Sequence, residues 1–219
     1  MDALRIEDLV RKGSKHRNPV LAHGTSVDAV CMMLSDGYLP GSRNPGASEH
    51  PADNGYLFFH PRKSAFKGHP LFNKIMPDWN TRKLEREVGF YAEIHQWYST
   101  MKNMCLSLGF EWDVDFCAYT LFEKNVVDSS PPPEDSFAHY LGNLPVDELK
   151  KVKKELLRRR GVVLGLNEKV LELPIEQGVD EPHHEVMIKL PGGLSIDYVD
   201  YIRPLGKYEQ KKIYEMLRS

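Results

Sequence analysis

The sequence predicts an α+β protein in which short antiparallel strands are flanked by helices. Apolar residues alternate near the end of the chain, at Val186, Ile188 and Leu190, which is typical of half-buried strands. Over residues 80–108 they instead recur every three or four positions, which predicts a helix. No G-x-G-x-x-G or P-loop motif is present, so a dinucleotide would not be held at the helix N-terminus of a Rossmann fold.

Composition and charge set limits on the class of protein. The 219 residues are 41% hydrophobic and 27% charged, which suits one large domain or a domain with an insertion. The formal net charge of -2 gives no reason to expect binding to nucleic acid or membranes by the chain as a whole. No apolar run approaches the roughly 18 residues of a membrane helix, and the first residues lack a secretory signal's apolar segment.

The cysteines indicate a reducing environment. Cys31, Cys105 and Cys117 are an odd number, widely spaced, and form no C-x-x-C pair. This spacing argues against a disulfide framework and against a cysteine zinc site. We therefore expect a cytoplasmic protein.

The first third of the chain predicts two helices and two strands around a long loop. Ser26 is suited to cap a helix that ends near Gly37, because its hydroxyl can accept from a first-turn N–H group. The predicted elements are a helix over 2–12, a strand over 19–23, a helix from Ser26 to Gly37, a loop over 40–55 and a strand over 56–59.

The rest of the chain predicts helices followed by two hairpins. The first hairpin would turn at Leu166-Asn167-Glu168-Lys169 and the second at Pro191-Gly192-Gly193. The other predicted elements are a helix over 80–108, a strand over 115–127, a stiff linker over 129–133, a helix over 145–160 stopped by Gly161, and a closing helix over 207–218.

Three segments carry residues suited to a ligand site. They are His23-Gly24-Thr25 at a strand end, Asn54 to Phe59 followed by Ser64-Ala65, and His184-Glu185 at the head of a strand. Their order and spacing resemble the ADP-ribosyltransferase fold of the poly(ADP-ribose) polymerase and diphtheria-toxin type. In that family a histidine, an aromatic residue and a glutamate on three strands form an H-Y-E triad around NAD.

The resemblance covers residues 19–66 and 161–204 and implies both a fold and an activity. The fold would be one domain over 1–219, with split antiparallel sheets, flanking helices and a largely helical central insertion of mixed helix and strand over 67–160. The activity would be transfer of ADP-ribose from NAD to an acceptor, with release of nicotinamide. NAD would be a co-substrate, and no metal is implied.

The resemblance assigns catalysis to Glu185. Cleavage of the nicotinamide–ribose bond passes through an oxocarbenium-like state, which a nearby carboxylate stabilises. His23 would donate a ring N–H to an adenosine ribose hydroxyl. Gly24 would let the dinucleotide approach and would hold the nicotinamide amide through its backbone, with Thr25 completing the cofactor-binding triplet.

Two aromatic residues are candidates for stacking on nicotinamide. Tyr56 directly follows Gly55, whereas Phe58 takes the tyrosine position of the family pattern but lacks its hydroxyl. Both share one face of a strand, because side chains alternate with a period of two. Tyr56 is slightly preferred, and both stay in the prediction.

The loop over 40–55 is expected to cover the NAD, with Arg43 and Asn44 as candidates for the pyrophosphate.

Arginine-modifying members carry Glu or Gln two residues before the catalytic glutamate, where this chain has His183, so an arginine acceptor is not supported. Acidic residues of proteins, nucleic acids and small molecules stay open as acceptors. A basic helix over 150–160 is a candidate phosphate contact, although a solvated helix face is the preferred explanation of its charges.

Two other functions compete with ADP-ribosyl transfer. One is the related NAD-dependent RNA 2'-phosphotransferase, which relies on arginines and lacks the carboxylate. The other is a non-catalytic module that binds NAD or ADP-ribose. A metal site at His183-His184 is disfavoured, because neighbouring residues on a strand point to opposite faces. The leading hypothesis requires His23 and Glu185 to face one cleft across adjacent strands.

Overall fold

The computed structural model describes residues 3–15, 19–39, 55–75, 81–112, 134–177, 185–190 and 192–218. Within these ranges the chain is α+β, as predicted, with a six-stranded antiparallel sheet and a separate two-stranded pair. The predicted loop over 40–55, apart from Gly55, the strand over 115–127 and the linker over 129–133 lie outside the described residues.

The helices are α1 Ala3–Lys15, α2 Val27–Asp36, α3 Thr81–Ser107, α4 Phe137–Gly142, α5 Val146–Leu157 and α6 Lys207–Arg218. The strands are β1 Leu21–Thr25, β2 Tyr38–Leu39, β3 Tyr56–Pro61, β4 Val162–Leu166, β5 Ile175–Gln177, β6 Val186–Lys189, β7 Leu194–Ser195 and β8 Val199–Pro204. Short 3-10 helices span Lys63–Phe66, Glu168–Glu172 and Ile196–Tyr198.

The large sheet has the strand order β5-β6-β3-β1-β4-β8. Strand β1 pairs along its whole length with β4, from Leu21 to Thr25. Its ladder with β3 has only two pairs, Leu21 with Pro61 and Ala22 with His60. Beyond Ala22 the described backbones of β1 and β3 form no further ladder pair, so the sheet is split at this point.

The main hydrophobic core lies between one face of the sheet and helices α1, α2 and α6. Its largest fully buried side chains include Leu21, Phe59 and Ile188. Helix α2 begins as predicted, because the Ser26 side chain accepts a hydrogen bond from the Ala29 N–H. It also ends as predicted, at Gly37, which has the left-handed φ of 83°.

Helix α3 covers the other face of the sheet, and its bounds confirm the helix predicted over 80–108. Its residues Val88 and Ala92 form a small apolar cluster with Ala22, Val163 and Tyr201 of the sheet. Part of the segment 67–160 therefore packs directly on the central strands. The division of this segment as an insertion stays a prediction.

The far half of α3 forms a second hydrophobic cluster with α4 and α5. The buried members of this cluster are Met101, Cys105, Phe137, Leu141 and Leu156. Helix α5 ends at Leu157, three residues earlier than predicted. Gly161 does not terminate it; an added Cβ at Gly161 would lie 2.2 Å from the Ala92 carbonyl oxygen, so glycine allows α3 to pack closely here.

Both predicted hairpins are wrong. After β4, Asn167 caps a 3-10 helix by accepting from the Lys169 N–H, and β4 pairs with β1 and β8 instead of its successor. After β6, the chain enters β7, which pairs with β2. Ser195 then caps another 3-10 helix over Ile196–Tyr198. These side-chain caps offer the backbone an alternative to a ladder, which apolar alternation does not reveal.

A buried carboxylate on α6 supports the turn before β4. Glu209 is fully buried, and its Oε1 accepts from the N–H groups of Arg160 at 2.8 Å and Gly161 at 3.2 Å. We expect Glu209→Ala to lower the free energy of unfolding by about 2–4 kcal/mol, because two donors lose their acceptor. Glu209→Gln keeps an acceptor oxygen and should lose less than half as much. Urea titration of both variants tests this, and equal losses would contradict it.

Candidate functional site

His23 lies in the split between β1 and β3. Its Nδ1 is 2.7 Å from the carbonyl oxygen of Phe58, and its ring centroid is 5.4 Å from that of Phe59. The ring of His95, from α3, lies 6.3 Å away. Because a carbonyl oxygen only accepts hydrogen bonds, Nδ1 must carry the proton and donate it to Phe58.

The surroundings of His23 keep its imidazole neutral. Burial, with smaller contributions from His95 and His60, lowers the pKa of His23 from 6.5 to about 4, and these effects outweigh the bond to the Phe58 carbonyl. At neutral pH the Nε2 atom therefore has a lone pair and accepts. The single ring N–H is used by Phe58, so a neutral His23 can accept from a ribose hydroxyl, whereas donation to that hydroxyl would require a second ring proton.

Glu185 contacts a residue that the sequence reasoning missed. Strands β3 and β6 pair up to Phe59 and Val186, so the next residues, His60 and Glu185, lie opposite each other. His60 Nε2 is 3.2 Å from Glu185 Oε1. The His60 side chain is 3% exposed and that of Glu185 is 26% exposed, which leaves the carboxylate partly accessible to a ligand.

Helix α3 contributes two further side chains. Tyr91 lies with its ring centroid 5.1 Å from that of His60, and His95 lies near His23. The two are four residues apart, so they share one side of the helix. Both lie within the segment 80–108 whose period predicted α3, but a helical period alone does not distinguish a site-facing position from a core position.

The space beside Gly24 is occupied by α3. A Cβ added to Gly24 would lie 2.4 Å from the Val88 carbonyl oxygen and 2.6 Å from the Ala92 nitrogen. The glycine was expected to let a dinucleotide approach. In the structure it lets helix α3 approach instead. Thr25, the third residue of the triplet, is buried.

Strand β3 carries the two candidate aromatic residues. Phe58 is half-buried and pairs with Met187, and Tyr56 pairs with Lys189. Phe58 shares a strand face with His60, two positions away. The side chain of Tyr56 is outside the described residues, as are Arg43, Asn44, His183 and His184.

His23 and Glu185 belong to one cluster but not to adjacent strands. Strand β3 lies between β1 and β6, so the expectation of adjacent strands is wrong. Alternation puts Ala22, His60 and Glu185 on the α3 face of the sheet, whereas His23, the next residue after Ala22, starts from the opposite face. The His23 ring reaches the same cluster because it occupies the split, where it bonds Phe58 and lies near His95. We call His23, His60, Tyr91, His95 and Glu185 the histidine cluster.

The last two cations of the basic segment before β4 contact other parts of the fold. Arg159 bonds Glu155 and lies over the Tyr208 ring, and Arg160 bonds Glu93 of α3 at 2.6 Å. Glu93 is two residues from both Tyr91 and His95, a spacing that turns it to the opposite side of α3. The basic segment therefore meets α3 on the side away from the histidine cluster.

Three other cations of this segment lie along one face of α5 and its C-cap. Lys151, Lys154 and Arg158 are exposed and follow the helical spacing of three and four residues. In the ranges described, no group of three or more His, Cys, Asp or Glu residues is arranged to hold a metal ion. None of the helices described there has the length and apolar character needed to cross a membrane.

Comparisons with known proteins assign no family to this chain, so it is described by its fold and its candidate site. No protein-family model matches it, and neither the curated proteins nor the solved structures give a match. It is an α+β protein with a split antiparallel sheet and a cluster of histidines beside a glutamate.

Proposed function

We propose that this protein is an NAD-dependent ADP-ribosyltransferase that releases nicotinamide and transfers ADP-ribose to an acceptor. The observation that carries the proposal is the strand order β6-β3-β1, which brings three segments distant in sequence onto neighbouring strands. Those segments are the ones that contain His23, the Tyr56–Phe59 aromatic residues and Glu185. They meet where the sheet is split and the His23 ring bonds Phe58.

Glu185 supplies the chemistry in this proposal. A carboxylate that is partly exposed can hydrogen-bond a ribose hydroxyl and stabilise the positive charge that develops as the nicotinamide bond breaks. The same oxygen atoms can orient the incoming nucleophile of the acceptor. Nothing else in the histidine cluster carries a negative charge, so Glu185 is the group with the required electrostatics.

The other residues bind and orient the dinucleotide. His23, neutral with a lone pair on Nε2, accepts a hydrogen bond from a ribose hydroxyl. Phe58 or Tyr56 stacks on the nicotinamide ring. Arg43 and Asn44 stay candidates for the pyrophosphate. Gly24 contacts NAD only through its backbone, because α3 fills the space beside its Cα.

The acceptor is proposed only as a class. An acidic residue, a nucleic acid or a small molecule fits the absence of Glu or Gln at position 183. The exposed cations of α5, Lys151, Lys154 and Arg158, could contact a polynucleotide that extends across α3.

Incubation with NAD tests the proposal directly. We expect the wild type to release nicotinamide, and Glu185→Gln to lower that rate by at least about 100-fold, because one stabilising group of the transition state is lost. Calorimetric titration should show NAD binding retained in the variant. Glu172→Gln, an exposed site on a 3-10 helix, is the matched control and should keep wild-type turnover.

Other outcomes distinguish the competing functions. NAD binding without cleavage by the wild type, tested with protein, DNA and RNA acceptors, would identify a non-catalytic binding module. NAD-dependent loss of a 2'-phosphate from RNA would identify a phosphotransferase. Absence of both binding and turnover would refute the proposal.

A further inference from the structure

The pairing of β3 and β6 fixes His60 next to the proposed catalytic carboxylate. Phe58 pairs with Met187 and Phe59 with Val186, so His60 is the next residue toward Glu185 on the adjoining strand. On its other side, His60 pairs with Ala22 of β1. A residue held between two neighbouring strands has its backbone fixed on both sides.

The ring of His60 is held as firmly as its backbone. Its side chain is 3% exposed, and the ring of Tyr91 lies 5.1 Å away at a tilt of 38°. Ala22, which is also buried, belongs to the apolar cluster under α3 that borders this position. The imidazole is therefore closely packed, with its Nε2 3.2 Å from Glu185 Oε1.

The Glu185 side chain is less enclosed than that of His60. Glu185 precedes β6, which begins at Val186, and its side chain is 26% exposed. A carboxylate at a strand end has several rotamers of similar energy unless a partner selects one. The contact of 3.2 Å between His60 Nε2 and Glu185 Oε1 supplies that partner.

We propose that His60 is the positioning residue for Glu185: its Nε2–H group donates to Oε1 and directs the carboxylate toward the bound ligand. This inference rests on the proposed ADP-ribosyltransferase activity, in which Glu185 is the catalytic group. His60 itself contacts the carboxylate and not the reacting atoms. Its loss therefore affects the rate of bond cleavage more than the binding of NAD.

Two amide substitutions separate positioning from space filling. The side-chain nitrogen of Gln is the same number of bonds from the backbone as Nε2, whereas that of Asn corresponds to Nδ1. We expect His60→Asn to lower kcat for nicotinamide release by about 10- to 100-fold, because small misplacements of a catalytic group cost up to this much. His60→Gln should stay within about 5-fold of the wild type, and both should keep KM for NAD within about 3-fold.

Equal loss of kcat in the two variants, or a raised KM with unchanged kcat, would overturn the positioning role. Thermal unfolding of both variants checks that they are folded, since His60 is buried. Nitrogen NMR of the histidine rings provides a readout that does not depend on activity. The inference expects a proton on His60 Nε2 in the wild type, and a bare Nε2 would overturn it.

The two proposals fail in different ways. A wild type that neither binds nor cleaves NAD refutes the ADP-ribosyltransferase and the catalytic role of Glu185 with it, and the NMR result still decides whether His60 donates to Glu185. A wild type that turns over NAD, with His60→Asn and His60→Gln equally active, refutes only the positioning role.

Discussion

Gly24→Ala is expected to lower the free energy of unfolding by about 3 kcal/mol or more, the upper part of the range for overpacking a close-packed contact. The added Cβ would lie 2.4 Å from the Val88 oxygen and 2.6 Å from the Ala92 nitrogen. Both atoms belong to the backbone of α3, so no side-chain rotation can relieve the contact. The helix would have to move away from β1.

Gly89→Ala is the matched control for this substitution. Gly89 lies on α3 itself, and the nearest atom to its added Cβ is a Leu205 side-chain carbon at 3.9 Å, an ordinary contact. Alanine should stabilise the helix there by about 0.5–1 kcal/mol, because glycine is the poorer helix former. Urea denaturation measures both variants. A Gly24→Ala protein within 1 kcal/mol of the wild type would contradict the packing of α3 on β1.

Acidification between pH 6.5 and 4 is expected to destabilise the protein through His23. Its pKa is lowered from 6.5 to about 4 in the folded state, so over this interval the unfolded chain binds a proton that the folded chain does not. Stability therefore falls as the pH falls through this window. At 1.36 kcal/mol per unit, the difference amounts to roughly 2–3 kcal/mol by pH 4.

His23→Asn tests the origin of this acid sensitivity. The Asn side-chain nitrogen corresponds to Nδ1 and can still donate to the Phe58 carbonyl, but it does not titrate. Urea midpoints measured at intervals from pH 7 to 4 should fall less steeply in the variant than in the wild type. Curves of equal slope would show that His23 does not cause the loss.

Local signals in the sequence were sufficient for several elements. The Ser26 cap, the left-handed Gly37 and the apolar period of α3 each depend on residues close in sequence, and the structure confirms all three. The failed hairpins had a local signal as well, but Asn167 and Ser195 form side-chain caps that compete with strand pairing. Alternation of apolar residues does not show whether a side-chain cap or a strand pair forms.

The candidate site was less predictable because it depends on which strands pair. The sequence singled out His23 and Glu185, but only the register of β3 against β6 brings His60 to Glu185. The role of Gly24 in packing likewise depends on α3, which comes much later in the chain. Tyr91 and His95 follow the same helical period as core residues. Only the folded structure shows that they lie at the candidate site.

The strand order also has a consequence for how the chain folds. Strand β1 is flanked by β3 and by the much later β4, and β6 joins the same sheet from near the end of the sequence. Such pairings join strands that are far apart in sequence. The entropy cost of closing the long loop between them comes before any stabilising contact, so the pairings form slowly. During synthesis, β1 stays without its β4 partner until Leu166 has been added. The histidine cluster is thus a product of late folding, and we expect its formation to coincide with the final cooperative step.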